Sequence, residues 1–165
     1  MKNRGKHLNF AALLLLGLSF FVQSSTFAAT STANLTVNAT VAASCTVTGG
    51  TLAFGSYTLA AISASTNITA TCTNGTAYNI GLSAGGGSGA TVTTRKMTSG
   101  SNTLNYSLYT NSGNTTIWGN TVGTDTVSAT GTGAAVNHTV YGNVPANQTS
   151  PIGTYSDTVV ITITF

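Results

Sequence analysis

The stretch Gly153-Thr154-Tyr155-Ser156-Asp157-Thr158-Val159-Val160-Ile161-Thr162-Ile163-Thr164-Phe165 decides how this chain folds. Tyr155, Asp157, Val159, Ile161, Ile163 and Phe165 fall on one side, and Ser156, Thr158, Val160, Thr162 and Thr164 on the other. A period of two is that of a β-strand with one face against a core. The sequence ends in mid-pattern on an aromatic, strongly apolar strand, and the outer edge of such a strand needs cover.

The same alternation recurs toward the N-terminus. Leu104, Tyr106 and Leu108 alternate with Asn105 and Ser107; Tyr78, Ile80 and Leu82 with Asn79 and Gly81; Ile68 and Ala70 with Thr69 and Thr71. Turn residues separate the runs at Gly49-Gly50, Asn74-Gly75, Gly85 to Gly89, Ser99-Gly100, Asn111 to Asn114 and Gly131 to Gly133. Glu is absent and Lys and Gln are scarce, so no window favours a helix. Many short strands with frequent turns predict an all-β sandwich or barrel.

The N-terminus reads as an export signal. Lys2, Arg4 and Lys6 precede an apolar run from Phe10 to Val22, and Thr26 and Ala28 suit cleavage after Ala28. Residues 1–28 are therefore expected to be removed, since an apolar run of roughly 13 residues is short of the ~20 a membrane helix needs. The net charge of +3 resides in this segment. Beyond residue 28, Arg95 and Lys96 balance Asp125 and Asp157. A neutral chain offers no footprint for phosphate backbones or anionic lipid, so nucleic acid is not an expected partner. Cys45 and Cys72 form an even pair in an exported chain, which argues for one disulfide; two thiols make a poor metal site.

Motifs for chemistry fail in context. Gly81-Leu82-Ser83-Ala84-Gly85 matches the nucleophile elbow of hydrolases, with Asp125 and His138 following in order. That elbow needs a strand leading into a helix, and Gly85-Gly86-Gly87-Ser88-Gly89 follows instead. The loose dinucleotide match at Gly85, Gly87 and Ala90 lacks a helix for the same reason. Asn-x-Ser/Thr sequons at Asn34, Asn38, Asn67, Asn74, Asn114, Asn137 and Asn147 are what a chain rich in Asn and Thr yields by chance. No catalytic residue, cofactor or metal is expected.

Residues 29–43 form a separate unit of pattern: Ala33, Leu35, Val37, Ala39 and Val41 alternate with Asn34, Thr36, Asn38 and Thr40, all ahead of Cys45. Extended, such a segment reaches about 50 Å, beyond its own domain edge. The pattern alone leaves two possibilities open. These residues are the first strand of their own sheet, or they supply cover to a neighbour's edge and build an open head-to-tail fibre.

The ordered set Cys45, Phe54-Gly55-x-Tyr57, Cys72, Arg95-x-Met97, Leu104-Asn105-Tyr106-x-Leu108-Tyr109, Trp118-Gly119, Tyr141-Gly142, Gln148 and Gly153-x-Tyr155-x-Asp157-x-Val159 resembles the spore coat protein U domain family, which includes pilin subunits of the archaic chaperone–usher pathway. The resemblance covers about residues 40–165. It implies an incomplete immunoglobulin-like Greek-key β-sandwich over residues 44–165, completed by donor-strand exchange. A periplasmic chaperone would lend the missing strand, and an outer-membrane usher would exchange it for residues 29–43 of the next identical or homologous subunit. Leu35, Val37, Ala39 and Val41 would be the donor face. Val159, Ile161, Ile163 and Phe165 would lie on the strand bordering the acceptor groove, and Cys45–Cys72 would be the family disulfide. The implied role is a rod or minor rod subunit of an extracellular pilus supporting adhesion and biofilm. The alternative is a self-complemented secreted coat protein or lectin-like domain, with Trp118, Tyr106, Tyr109 and Tyr141 as candidate contacts.

Overall fold

The computed structural model describes residues 25–165, so most of the expected signal peptide lies outside the described residues. The chain divides into two units, Met1–Asn38 and Ala39–Phe165. In the first, residues 25–38 form no strand and are exposed.

The second unit is all-β. Its strands are β1 (Cys45–Thr48), β2 (Ile62–Cys72), β3 (Ala77–Leu82), β4 (Arg95–Ser99), β5 (Asn102–Tyr109), β6 (Val127–Thr130), β7 (Ala135–Val144) and β8 (Ile161–Thr164). They form a five-stranded sheet in the order β1-β2-β7-β5-β4 and a three-stranded sheet in the order β6-β3-β8, with every pairing antiparallel. No helix occurs among the described residues.

The period-two runs become the two inner faces. Ile68, Ala70, Leu104, Tyr106, Leu108, Val140 and Val144 from the large sheet meet Tyr78, Ile80 and Leu82 from β3. Burying each large apolar side chain contributes roughly 1.5–3 kcal/mol. Trp118 lies between the sheets, 1% exposed. Its indole N–H donates to the Ile80 carbonyl at 2.8 Å and its backbone N–H to Leu108 at 2.9 Å. The outer face of the large sheet is polar and knitted across strands, with Thr69 Oγ1 donating to Asn137 at 2.7 Å and Thr139 Oγ1 to Asn67 at 3.0 Å.

Strand directions define two ends. The base carries the Cys45–Cys72 disulfide, the Asn74-Gly75 turn and the Gly131–Gly133 turn, where Gly75 N–H donates to Gly131 and Gly133 N–H to Cys72. The top carries the segment entering β2 at Ile62, the Ser99-Gly100-Ser101 turn and residues 145–154. β8 runs from top to base, since Ile161 pairs with Leu82 and Thr164 with Asn79.

Candidate functional site: an open trench beside the last strand

Among the described residues, β8 is the outer strand of its sheet, paired with β3 on one side only. Between it and the segment joining β1 to β2 lies a trench opening onto the core. Two cavities of about 440 and 600 Å³ share Leu52, Ala53, Phe54, Met97 and Tyr155 and so form one furrow. Val159 and Ile161 supply one wall, and Leu52 and Phe54 the other. Ile68, Leu82, Tyr106, Leu108 and Val140 form the floor toward the base, and Leu104 and Val144 toward the top. A trench floored by core residues of both sheets is the space one further strand would fill.

Local chemistry holds the walls apart. The Leu52–Phe54 wall is anchored at the top, where the Tyr57 hydroxyl donates to the Pro145 carbonyl at 2.9 Å and receives Gln148 N–H at 2.8 Å. Gln148 clamps β5 with its side chain, accepting Asn105 N–H at 2.7 Å and donating to Asn105 O at 2.9 Å. Gly142 lets this wall approach β7, because a Cβ there would sit 2.5 Å from Leu52 and 2.7 Å from Phe54. The opposite wall changes sheets along its length. Ser156 exchanges backbone hydrogen bonds of 2.8 and 3.1 Å with Thr98 of β4, while residues 161–164 pair with β3.

A polar knot closes the flank beside the trench. Arg95 is 0% exposed, and its guanidinium donates to the carbonyls of Ser83, Val92, Leu82 and Trp118 at 2.7–2.9 Å. Burial lowers its pKa, which Tyr106 and the two aspartates oppose, but a guanidinium stays protonated. The Tyr106 hydroxyl donates to Asp157 Oδ2 at 2.7 Å, and burial together with that bond holds its pKa well above the ordinary value. Asp157 Oδ1 accepts Gly86 N–H at 2.8 Å and Thr158 N–H at 2.7 Å. A Cβ at Gly85 would run into this carboxylate, which gives the glycine-rich loop a packing reason.

Val159 and Ile161 line the trench, Ile163 packs against the core, and Phe165 is exposed. Leu35, Val37 and Val41 expose 88, 79 and 83% of their surface, Ala39 is exposed too, and residues 25–44 contain no strand. Cys45 and Cys72 are disulfide-bonded. Trp118 and Tyr106 are buried, which removes them from any ligand platform; their indole and hydroxyl are spent inside the fold. The hydrolase-like residues do not converge. The Ser83 hydroxyl accepts from Gly85 and Val160, Asp125 accepts from Thr121, and His138 bonds Tyr78. The Leu52–Phe54 wall was missed as a site, although Leu52 and Phe54 alternate with Thr51 and Ala53.

The model of the Spore Coat Protein U domain matches residues 31–162. The chain belongs to this family. A curated relative is Protein U of Myxococcus xanthus, to which this spore coat U domain chain is 39% identical, over 84% of its own length and 87% of the relative's. Among solved structures, a chain of the CsuC–CsuE chaperone–tip adhesion subunit pre-assembly complex from the archaic chaperone–usher Csu pili of Acinetobacter baumannii superposes with a TM-score of 0.56 at 27% identity. That match covers 76% of this spore coat U domain chain and only 40% of the pilus-complex chain.

Proposed function

We propose that this chain is a subunit of a chaperone–usher surface pilus, rod or minor rod, that polymerises by donor-strand exchange. The observation that carries the reading is the furrow along the free edge of β8, floored by core residues and matched by an exposed segment alternating Leu35, Val37, Ala39 and Val41. Backbone pairing along β8 would give affinity, and alternate side chains entering the trench would give register. The similarity to a pre-assembly complex of archaic pili supports a periplasmic chaperone as first occupant and an outer-membrane usher as the place of exchange. The fibre would then stand outside the cell and support adhesion and biofilm.

Topology supports one direction for the proposed insertion. β8 ends at the base, and residues 39–44 enter the sandwich at the base through Cys45. A segment lying parallel to β8 would bring two bases together, where both copies root their own segments. An antiparallel segment puts the donor's base at the acceptor's top and leaves every copy one donor and one acceptor end, a heterologous contact that propagates.

Deleting residues 29–43 from the exported chain tests this. The expected protein folds with its chaperone and forms no polymer, while the full chain gives ladders in unboiled SDS gels. A deletion variant that still polymerises refutes the donor role.

A further inference from the structure

This inference rests on donor insertion as proposed above and concerns what else must touch. An inserted segment antiparallel to β8 leaves the trench at the acceptor's top beside its Val41. From Val41 to Cys45 is four residue steps, at most about 14 Å. Part of that length is already committed: the Ala42 carbonyl accepts Thr73 Oγ1 at 3.3 Å, and the Ser44 carbonyl accepts Thr73 N–H at 2.9 Å. The donor's base is therefore held directly against the acceptor's top.

The top is unusual there. Leu59 exposes 57% of its surface at a φ of +65°, in the left-handed region that costs a non-glycine residue roughly 1–2 kcal/mol. Its carbonyl accepts the N–H of Asn147 at 2.8 Å, and Asn147 itself has a φ of +62°. That bond ties the Leu59 loop to residues 145–154. In this second loop Ile152 is fully exposed (104%) between Pro151 and Gly153, at the mouth of the trench. Strain that holds an aliphatic side chain in solvent marks a position kept for something other than the fold of the lone chain. The base offers an uncharged counterpart, since Asn74-Gly75 and Gly131–Gly133 carry no ionic group to desolvate.

We propose that Leu59 and Ile152 form the top half of an axial junction covered by the base of a second copy of this chain. Donor insertion fixes the connection, and this junction sets the stiffness and lifetime of the fibre.

Fibres of the full chain are compared with Leu59→Asn and Ile152→Ser fibres for dissociation rate in hot SDS. In parallel, each protein is assayed for melting temperature as a monomer and for capture of a synthetic peptide of residues 29–43. Asn enters positive φ far more readily than Leu, so Leu59→Asn should hold or raise the monomer melting temperature. Its fibres should nevertheless dissociate at least about tenfold faster with peptide capture unchanged, since Leu59 lines neither cavity of the trench, and Ile152→Ser should speed fibre dissociation in the same direction. Wild-type dissociation rates in both variants, with peptide capture intact, overturn the junction alone. Failure of the wild-type chain to capture the peptide overturns donor insertion, and the junction with it.

Discussion

The two flanks of this sandwich are built from similar residues and end in opposite conditions. On the closed flank, Trp118, Arg95 and Ile80 are almost wholly buried, and each polar group among them has a partner. On the open flank, Leu52, Phe54, Tyr155, Val159 and Ile161 border a trench and remain partly exposed. The difference lies in strand supply rather than hydrophobicity. The closed flank has β6 beyond β3, whereas β8 has no partner beyond it among the described residues. Apolar surface left open this way stores binding free energy that one added strand can release, at about 25 cal/mol per Å² of area covered.

Substitutions should therefore act with different force on the two flanks. Arg95→Met leaves four buried carbonyls without a donor, and the expected cost is about 4 kcal/mol or more in urea unfolding. A loss under about 1 kcal/mol would show that the knot does not hold the closed flank. Reducing Cys45–Cys72, which closes a loop of sequence separation 27, should cost about 3–4 kcal/mol, read as a lower melting temperature with reductant. Ile80→Ala on the closed flank should cost about 3 kcal/mol. Phe54→Ala on the open flank should cost the lone protein about 1 kcal/mol, since the ring is already half solvated. The same Phe54 change should weaken capture of a peptide of residues 29–43 by tenfold or more in calorimetry. Equal effects of these two substitutions on unfolding would erase the contrast.

The smallest expected effect is with pH. Partial burial lowers the His138 pKa below its ordinary 6.5, so the folded state disfavours the imidazolium. Above pH 6.5 the ring is neutral whether the chain is folded or not, and nothing is lost. As pH falls through 6.5 the unfolded chain takes up the proton first, and stability declines until the folded ring titrates too. The slope between pH 7.5 and 5 should be shallow and should vanish in His138→Asn, as followed by thermal melts at stepped pH.

How much of this was legible in the sequence follows from what alternation encodes. Period two reports which face of a strand is buried, so Ile68 and Ala70, Tyr78 to Leu82, and Leu104 to Leu108 could be read directly as inward-facing runs. It does not report which sheet a strand joins. The final run reads as one strand, yet Ser156 bridges to Thr98 of β4 while 161–164 pair with β3. Parity groups Phe165 with Val159 and Ile161, but the ladder with β3 stops at Thr164 and Phe165 stays exposed. The Arg95 knot was also hidden. The one arginine beyond residue 28, in a stretch with few charges, is conspicuous, but its four carbonyl partners come from three separate stretches of sequence. Residues 29–43 were legible as an alternating pattern, and their lack of a strand is structural information that no pattern carries.

The central claim is that the trench beside β8 receives residues near Val37 from another copy. Two proteins test it most directly, one carrying Val37→Cys and one carrying Val159→Cys, mixed and oxidised after assembly. Both native cysteines are already paired, so new bonds report the engineered sites alone. The account predicts covalent dimers joining one variant to the other. A chain carrying both substitutions that instead closes the bond within a single monomer, with no intermolecular product in the mixture, contradicts it.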